Sequence, residues 1–168
     1  MRIGIPRGLL YYQYLPMWAT FFRELGAEVV TSPATTEQML ALGCSRSVGD
    51  LCLPVKVFFG HVFSLANDCD YVFLPAIHSP RQGVNSCPKF IGLPDLVRAI
   101  VPECPPLLDP DVDLNDGSRD LGEVAYGIGT MFTPVRSKVE AAVRKALEAH
   151  RSFRALMLAH RLSPPQAI

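Results

Sequence analysis

The chain has 168 residues, 49% of them hydrophobic and 19% charged, which suits one globular domain with a real core and excludes a disordered chain. Sixteen basic residues offset sixteen acidic ones, so no charge excess points to nucleic acid or an anionic membrane as partner. The start, Met1 to Arg7, carries a charge and a proline where a secretory segment needs an unbroken apolar run, and no run approaches the roughly 20 residues of a membrane span. A cytoplasmic protein is therefore expected, in which five cysteines serve as buried thiols, metal ligands or redox groups rather than as a disulfide framework.

Arg2 to Ile5 reads as a short buried strand, and Pro6-Arg7-Gly8 as a turn that leaves Arg7 beyond its C-terminal end. Leu15, Trp18, Phe21, Phe22 and Leu25 recur at helical spacing, with Gly26 placed for a left-handed cap. A second strand over Ala27 to Thr31 leads to a helix from Thr36 to Leu42, closed by Gly43. Cys52 opens a helix to about Ala66, Asp70 to Pro75 forms a third strand, and a long loop from Ala76 to Ser86 carries His78, Arg81, Gln82 and Gly83.

Leu93 to Ile100 reads as a short helix, Pro106 to Asp109 as a fourth strand, and Asp111 to Gly117 as an acidic turn-rich stretch. Ser118 to Met131 is expected to be helical despite its glycines. Thr133-Pro134 caps a long helix to about Arg161, with Val135, Val139, Val143, Ala146 and Leu147 on one face. Strands alternating with helices imply right-handed crossovers. The expectation is an α/β, Rossmann-like three-layer domain over residues 1–162, with a short, mainly parallel sheet, a long C-terminal helix and a frayed tail at 163–168.

Ligands of such sheets bind beyond the C-terminal strand ends, where Arg7 and the loop of His78 and Arg81 lie. Cys52 and Cys87 each stand just before a proline, at expected helix starts rather than inside apolar runs. A helix N-terminus favours thiolate, the form that binds metal or attacks an electrophile. Their separation excludes a CxxC pair, and Cys44 is a candidate third ligand. Cys69 and Cys104 read as structural or partnerless thiols. Lys56, one turn after Cys52, and His61 are candidates for tuning such a site, and Arg7 and Arg81 for holding an anion. No GxGxxG, GxxxxGK[ST], nucleophile elbow or serine triad is present, so no catalytic residue is assigned.

Taken together, Ile3-Gly4-Ile5-Pro6-Arg7-Gly8-Leu9-Leu10, the Phe22, Glu24, Leu25 and Gly26 set, Cys52-Leu53-Pro54-Val55-Lys56 with Gly60-His61-Val62, and Cys87-Pro88-Lys89-Phe90 with Ile91 to Asp95 resemble one family over roughly residues 2–150. It is the acyl-CoA dehydratase activase-related family, related to the 2-hydroxyglutaryl-CoA dehydratase D-component and to double-cubane cluster proteins. The resemblance implies an iron-sulfur protein of anaerobic metabolism that passes a low-potential electron towards a CoA thioester or another substrate. On that view Cys52 and Cys87 ligate a 4Fe-4S or larger cluster, with Lys56 and His61 supporting it.

The larger relatives continue into a second Rossmann-like domain, so two matching cysteines need Cys44, a non-cysteine ligand or a second chain to complete a site. A homodimer, or a larger dehydratase or activase subunit, is the expected partner. A scaffold module using the long C-terminal helix is the competing expectation, with a zinc-thiolate protein third.

Overall fold

In the computed structural model, which describes residues 1–115, 117 and 120–168, the alternation of apolar strands and helices builds an α/β fold on a parallel sheet. Strands β1 (Arg2–Ile5), β2 (Glu28–Thr31), β3 (Tyr71–Phe73) and a further strand at Leu107–Leu108 lie in the order second, first, third, last. Helix α1 (Tyr11–Glu24) joins β1 to β2 and places Met17, Trp18, Phe21 and Phe22 on the sheet. Gly26, at φ 88°, makes the left-handed stop that its position after Leu25 requires.

Helix α2 (Glu37–Arg46) starts at Thr36, whose hydroxyl accepts the Met39 N–H at 3.2 Å, and it runs through Gly43 instead of ending there. Cys44 therefore sits inside a helix, not after a cap. The reason is packing: a Cβ on Gly43 would meet the backbone carbonyl of Lys56, and one on Gly60 the carbonyl of Met39. Both belong to the contact between α2 and α3 (Leu53–Ser64), two antiparallel helices brought backbone to backbone.

The expected loop after β3 begins instead with a strand, β4 (Ala76–Ser79), and the acidic stretch after β5 (Leu107–Leu108) begins with β6 (Asp111–Asp113). These two pair in parallel, Ala76 with Asp111 and Ile77 with Val112 in the register that β3 and β5 already set, before a bulge shifts Ser79 onto Asp113. Val72, Leu74 and Ala76 donate in turn to the carbonyls of Pro106, Leu108 and Pro110 at 2.9–3.1 Å. Pro110, without an N–H, cannot return the bond due to Leu74, so one long ladder reads as two. The loop proper is shorter: Ser79 Oγ is fully buried against the carbonyls of Arg81 and Val84, and Ser86 N–H bonds His78 O at 2.8 Å.

After β4 come a single turn, α4 (Pro88–Ile91), and α5 (Leu93–Ile100). Helix α6 (Leu121–Phe132) begins at Asp120, in a capping box with Glu123. The expected start at Ser118 lies outside the described residues. Gly129 of α6 lies against Val139 and Gly122 near Leu147, which is where the next helix crosses. Helix α7 (Arg136–His160) is capped by Val135, which is exposed rather than packed, while Val139, Ala142, Ala146 and Phe153 are buried. The terminal residues form one further turn, α8 (Pro164–Ala167), closed by Ser163 and Gln166 and resting near α1.

Two apolar clusters follow from strand alternation. Ile3, Ile5 and Phe73 point to the face covered by α1, α6 and α7, and Leu74 to the face covered by α3 and α5. Three layers result. No helix among the described residues is long and apolar enough to cross a membrane.

Candidate functional site

Strand order reverses between β1 and β3, since the chain leaves β1 to one side for β2 and returns to the other for β3. Such a switch point opens a crevice past the C-terminal strand ends. Three segments lie at that edge: Pro6 to Leu10 after β1, Ser32 to Thr35 after β2, and Leu74 to Ile77 on the strand-three side, the first and the last of them contributing to the crevice wall.

His61 fastens the first two to α3. It is fully buried, with Nδ1 2.9 Å from Ser32 Oγ and Nε2 3.0 Å from Thr35 Oγ1. Ser32 Oγ also accepts the Arg7 N–H at 2.7 Å. One arrangement satisfies all these atoms: Ser32 donates its hydroxyl proton to an unprotonated Nδ1, and Nε2–H donates to Thr35. Burial, and secondly the Arg7 charge, hold the imidazole below its ordinary pKa, consistent with that neutral form. Nothing in the local sequence marks Ser32 and Thr35 as partners of His61, since they stand in the short connection between β2 and α2 with only Pro33 between them as a turn signal.

The Arg7 side chain leans on Tyr12, with Nε donating to the phenol oxygen at 3.1 Å and Cζ 5.7 Å from the ring centroid. Its Nη groups have no carboxylate partner among the described residues. Lys56 instead reaches back over the α2–α3 connection, where Nζ donates to Gly49 O at 3.2 Å.

Cys52 is the N-cap of α3 and Cys87 the N-cap of α4, each extended at ψ 150° and 135°, and followed within two residues by proline. Phe58 of α3 stands beside Gly8 at the sheet edge, so Cys52 lies about 9 Å further along the helix axis, beyond the edge. Phe90 lines the same crevice one turn after Cys87. Both thiols are exposed, unlike the other three. Cys44 is half-buried in α2. Cys69 and Cys104 precede β3 and β5 at the opposite end of the sheet; burial raises the Cys69 thiol and pushes Cys104 up to about 12, so neither offers a ready thiolate.

The edge thus combines two exposed thiols, a guanidinium with no carboxylate partner among the described residues and a histidine that holds the connecting loops. Among the described residues no three His, Cys, Asp or Glu side chains stand together as a metal-binding group, so the donor set in one chain falls short of a cluster site. His78 and Arg81 lie apart from this edge's bonding network, His78 pairing with Asp111 at 3.3 Å.

No curated protein and no solved structure matches the chain. A family model does, covering residues 2–164, and the chain belongs to that family, described as the CoA enzyme activase uncharacterised domain (DUF2229).

Proposed function

We propose that this domain is an accessory or electron-transfer unit of a 2-hydroxyacyl-CoA dehydratase type of system, in which Cys52 and Cys87 supply thiolates to an iron-sulfur cluster completed by a second chain. The observation that carries this reading is selective exposure: of five cysteines, only these two are free at the surface, and both open helices on the ligand-binding edge of the sheet. A bound 4Fe-4S or larger cluster supplies one-electron chemistry. This chain contributes two sulfurs, the positive end of the α3 dipole at Cys52 and the positive charge of Arg7 and Lys56.

Among the described residues of one chain, no three donor side chains stand together, too few for a cluster site. A second copy, or a larger dehydratase or activase subunit as the family description suggests, provides the rest, with Cys44 as the reserve ligand. The scaffold alternative draws on Leu156 and Leu158, exposed near the end of α7, because the earlier turns of that helix are already covered by α1 and α6.

Anaerobic purification with iron and sulfide analysis, visible absorption and light scattering tests the reading. About four irons per two chains are expected if a homodimer completes a 4Fe-4S site, with the charge-transfer absorption lost in Cys52→Ala and in Cys87→Ala. Absence of iron before and after reconstitution, with an unchanged oligomeric state in both variants, would overturn it. Stoichiometric zinc alone favours the zinc-thiolate protein, and loss of partner capture in Leu156→Ser/Leu158→Ser with both thiols dispensable favours the scaffold.

A further inference from the structure

The crevice at the switch point closes at its base into an apolar cavity of about 70 Å³, walled by Leu9, Leu15, Trp18, Phe58, Ile77 and Phe90 among others. Nothing in the cluster reading uses it. We infer that this cavity binds the chain of a short aliphatic carboxylate, with Arg7 holding the carboxyl group.

Three observations converge on that ligand. First, the wall is apolar and contributed by both strand connections and by helices α1, α3, α4 and α5, the arrangement of a small-molecule site rather than of a packing gap within one layer. Secondly, Leu9 on the wall holds φ 54°, a left-handed conformation that a leucine rarely adopts, and such strain gathers where a loop is shaped for a ligand. Thirdly, Arg7 stands outside the wall but between Pro6 and Gly8, both of which line it; its side chain leans on Tyr12, and its Nη donors lack an anionic partner among the described residues, so they are available to a carboxyl group at the mouth. Tyr12 steadies that guanidinium and meets Tyr11, another wall residue, edge to face at 5.0 Å.

Volume sets the length. A water needs about 10–15 Å³ of the same space, so the cavity takes about five non-hydrogen atoms, a butyl or pentyl chain rather than a fatty acid. The opening of Pro75 towards the cavity has a backbone reason. Its neighbours Leu74 and Ala76 donate to the β5–β6 side, so an N–H at position 75 would face the side where β1 has already ended. A proline leaves no donor there to be satisfied, and the wall stays apolar.

Calorimetric titration of the metal-free protein with unbranched carboxylates from acetate to octanoate, and with 1-butanol, reads the site. Affinity is expected to rise about fourfold per methylene up to pentanoate and then to stop rising. Arg7→Met should weaken pentanoate by about tenfold or more while leaving 1-butanol unchanged. Leu15→Phe should abolish both, with its melting curve showing that it folds; independently of that variant, 1-butanol and pentanoate should compete in the wild type. Cys52→Ser/Cys87→Ser should bind as the wild type does, so this site and the cluster reading succeed or fail separately. No saturable binding at millimolar ligand, affinity indifferent to chain length, pentanoate binding insensitive to Arg7→Met, or loss of binding in the double cysteine variant would each overturn the assignment.

Discussion

Gly60→Ala is expected to destabilise the protein by about 2–3 kcal/mol, seen as a fall in Tm of about 4–12 °C. Helix propensity alone argues the other way, because alanine in a helix interior is favoured over glycine by about 1 kcal/mol. The neighbour decides the sign. The added methyl would meet the Met39 carbonyl, which is backbone and cannot rotate aside, so α2 and α3 must separate. Separation loosens Met39, Val55 and Phe59, all buried, and pulls His61 from Ser32 and Thr35. Gly43→Ala strikes the opposite side of the same contact at the Lys56 carbonyl, so the two losses should add incompletely in the double variant. Gly127→Ala is the control: it lies in α6 with open space around its Cβ position and should stabilise by about 0.5–1 kcal/mol. Urea titration of the parent and the four variants measures this, and a Gly60→Ala variant as stable as the parent would refute the backbone contact.

These glycines also mark where sequence reading succeeds and where it stops. The periodic run from Leu15 to Leu25 and the short apolar strands at Ile3 and Val72 follow local rules, and Gly26 stops α1 as a residue free to take positive φ should. Gly43 carries the same sequence signature as Gly26, yet its role is close approach to a helix whose identity only the tertiary fold reveals. The strands beyond Pro75 and Pro110 stayed hidden because proline ordinarily ends a ladder. Here Pro75 stands on the side without a neighbour and Pro110 costs one bond, so pairing resumes in the same register.

The candidate site was legible to the extent that its chemistry depends on position in one segment. Cysteine before proline at a helix start marks an exposed thiol, and Cys52 and Cys87 are the two exposed ones. Arg7 after the first strand falls at the sheet edge by topology alone. The Ser32 and Thr35 contacts to His61 join residues 29 and 26 positions apart with no repeating pattern to announce them. Lys56, placed one turn after Cys52, is drawn to a carbonyl of the preceding loop instead, because a long flexible amine takes the nearest acceptor.

His61 should make the fold sensitive to mild acid, and the sign follows from its bonding. An unfolded histidine titrates near 6.5, whereas burial and the Arg7 charge lower the folded value. Below pH 6.5 the unfolded chain therefore binds the proton more readily, and stability falls with pH until the folded value is passed, at no more than about 1.4 kcal/mol per pH unit from this group. Structurally, a proton on Nδ1 converts an acceptor into a second donor facing Ser32 Oγ, which already accepts from Arg7 N–H, and the serine proton loses its acceptor. His150, half-buried against Tyr14 at 5.3 Å and lowered first by burial and then by Arg154, adds a loss of the same sign at the α1–α7 contact. His61→Gln keeps an acceptor and a donor without a titrating group, so its stability should fall less than the wild type's between pH 7.5 and 5, leaving the His150 share. His61→Leu, which strands the Ser32 hydroxyl in a buried site, should cost about 3 kcal/mol at pH 7.5, and it too should lack the His61 share of the acid slope. Urea midpoints for the three proteins at both pH values separate the contributions. Parallel pH dependence in wild type and His61→Gln would show that the imidazole titrates alike folded and unfolded, contrary to the buried neutral bridge between Ser32 and Thr35.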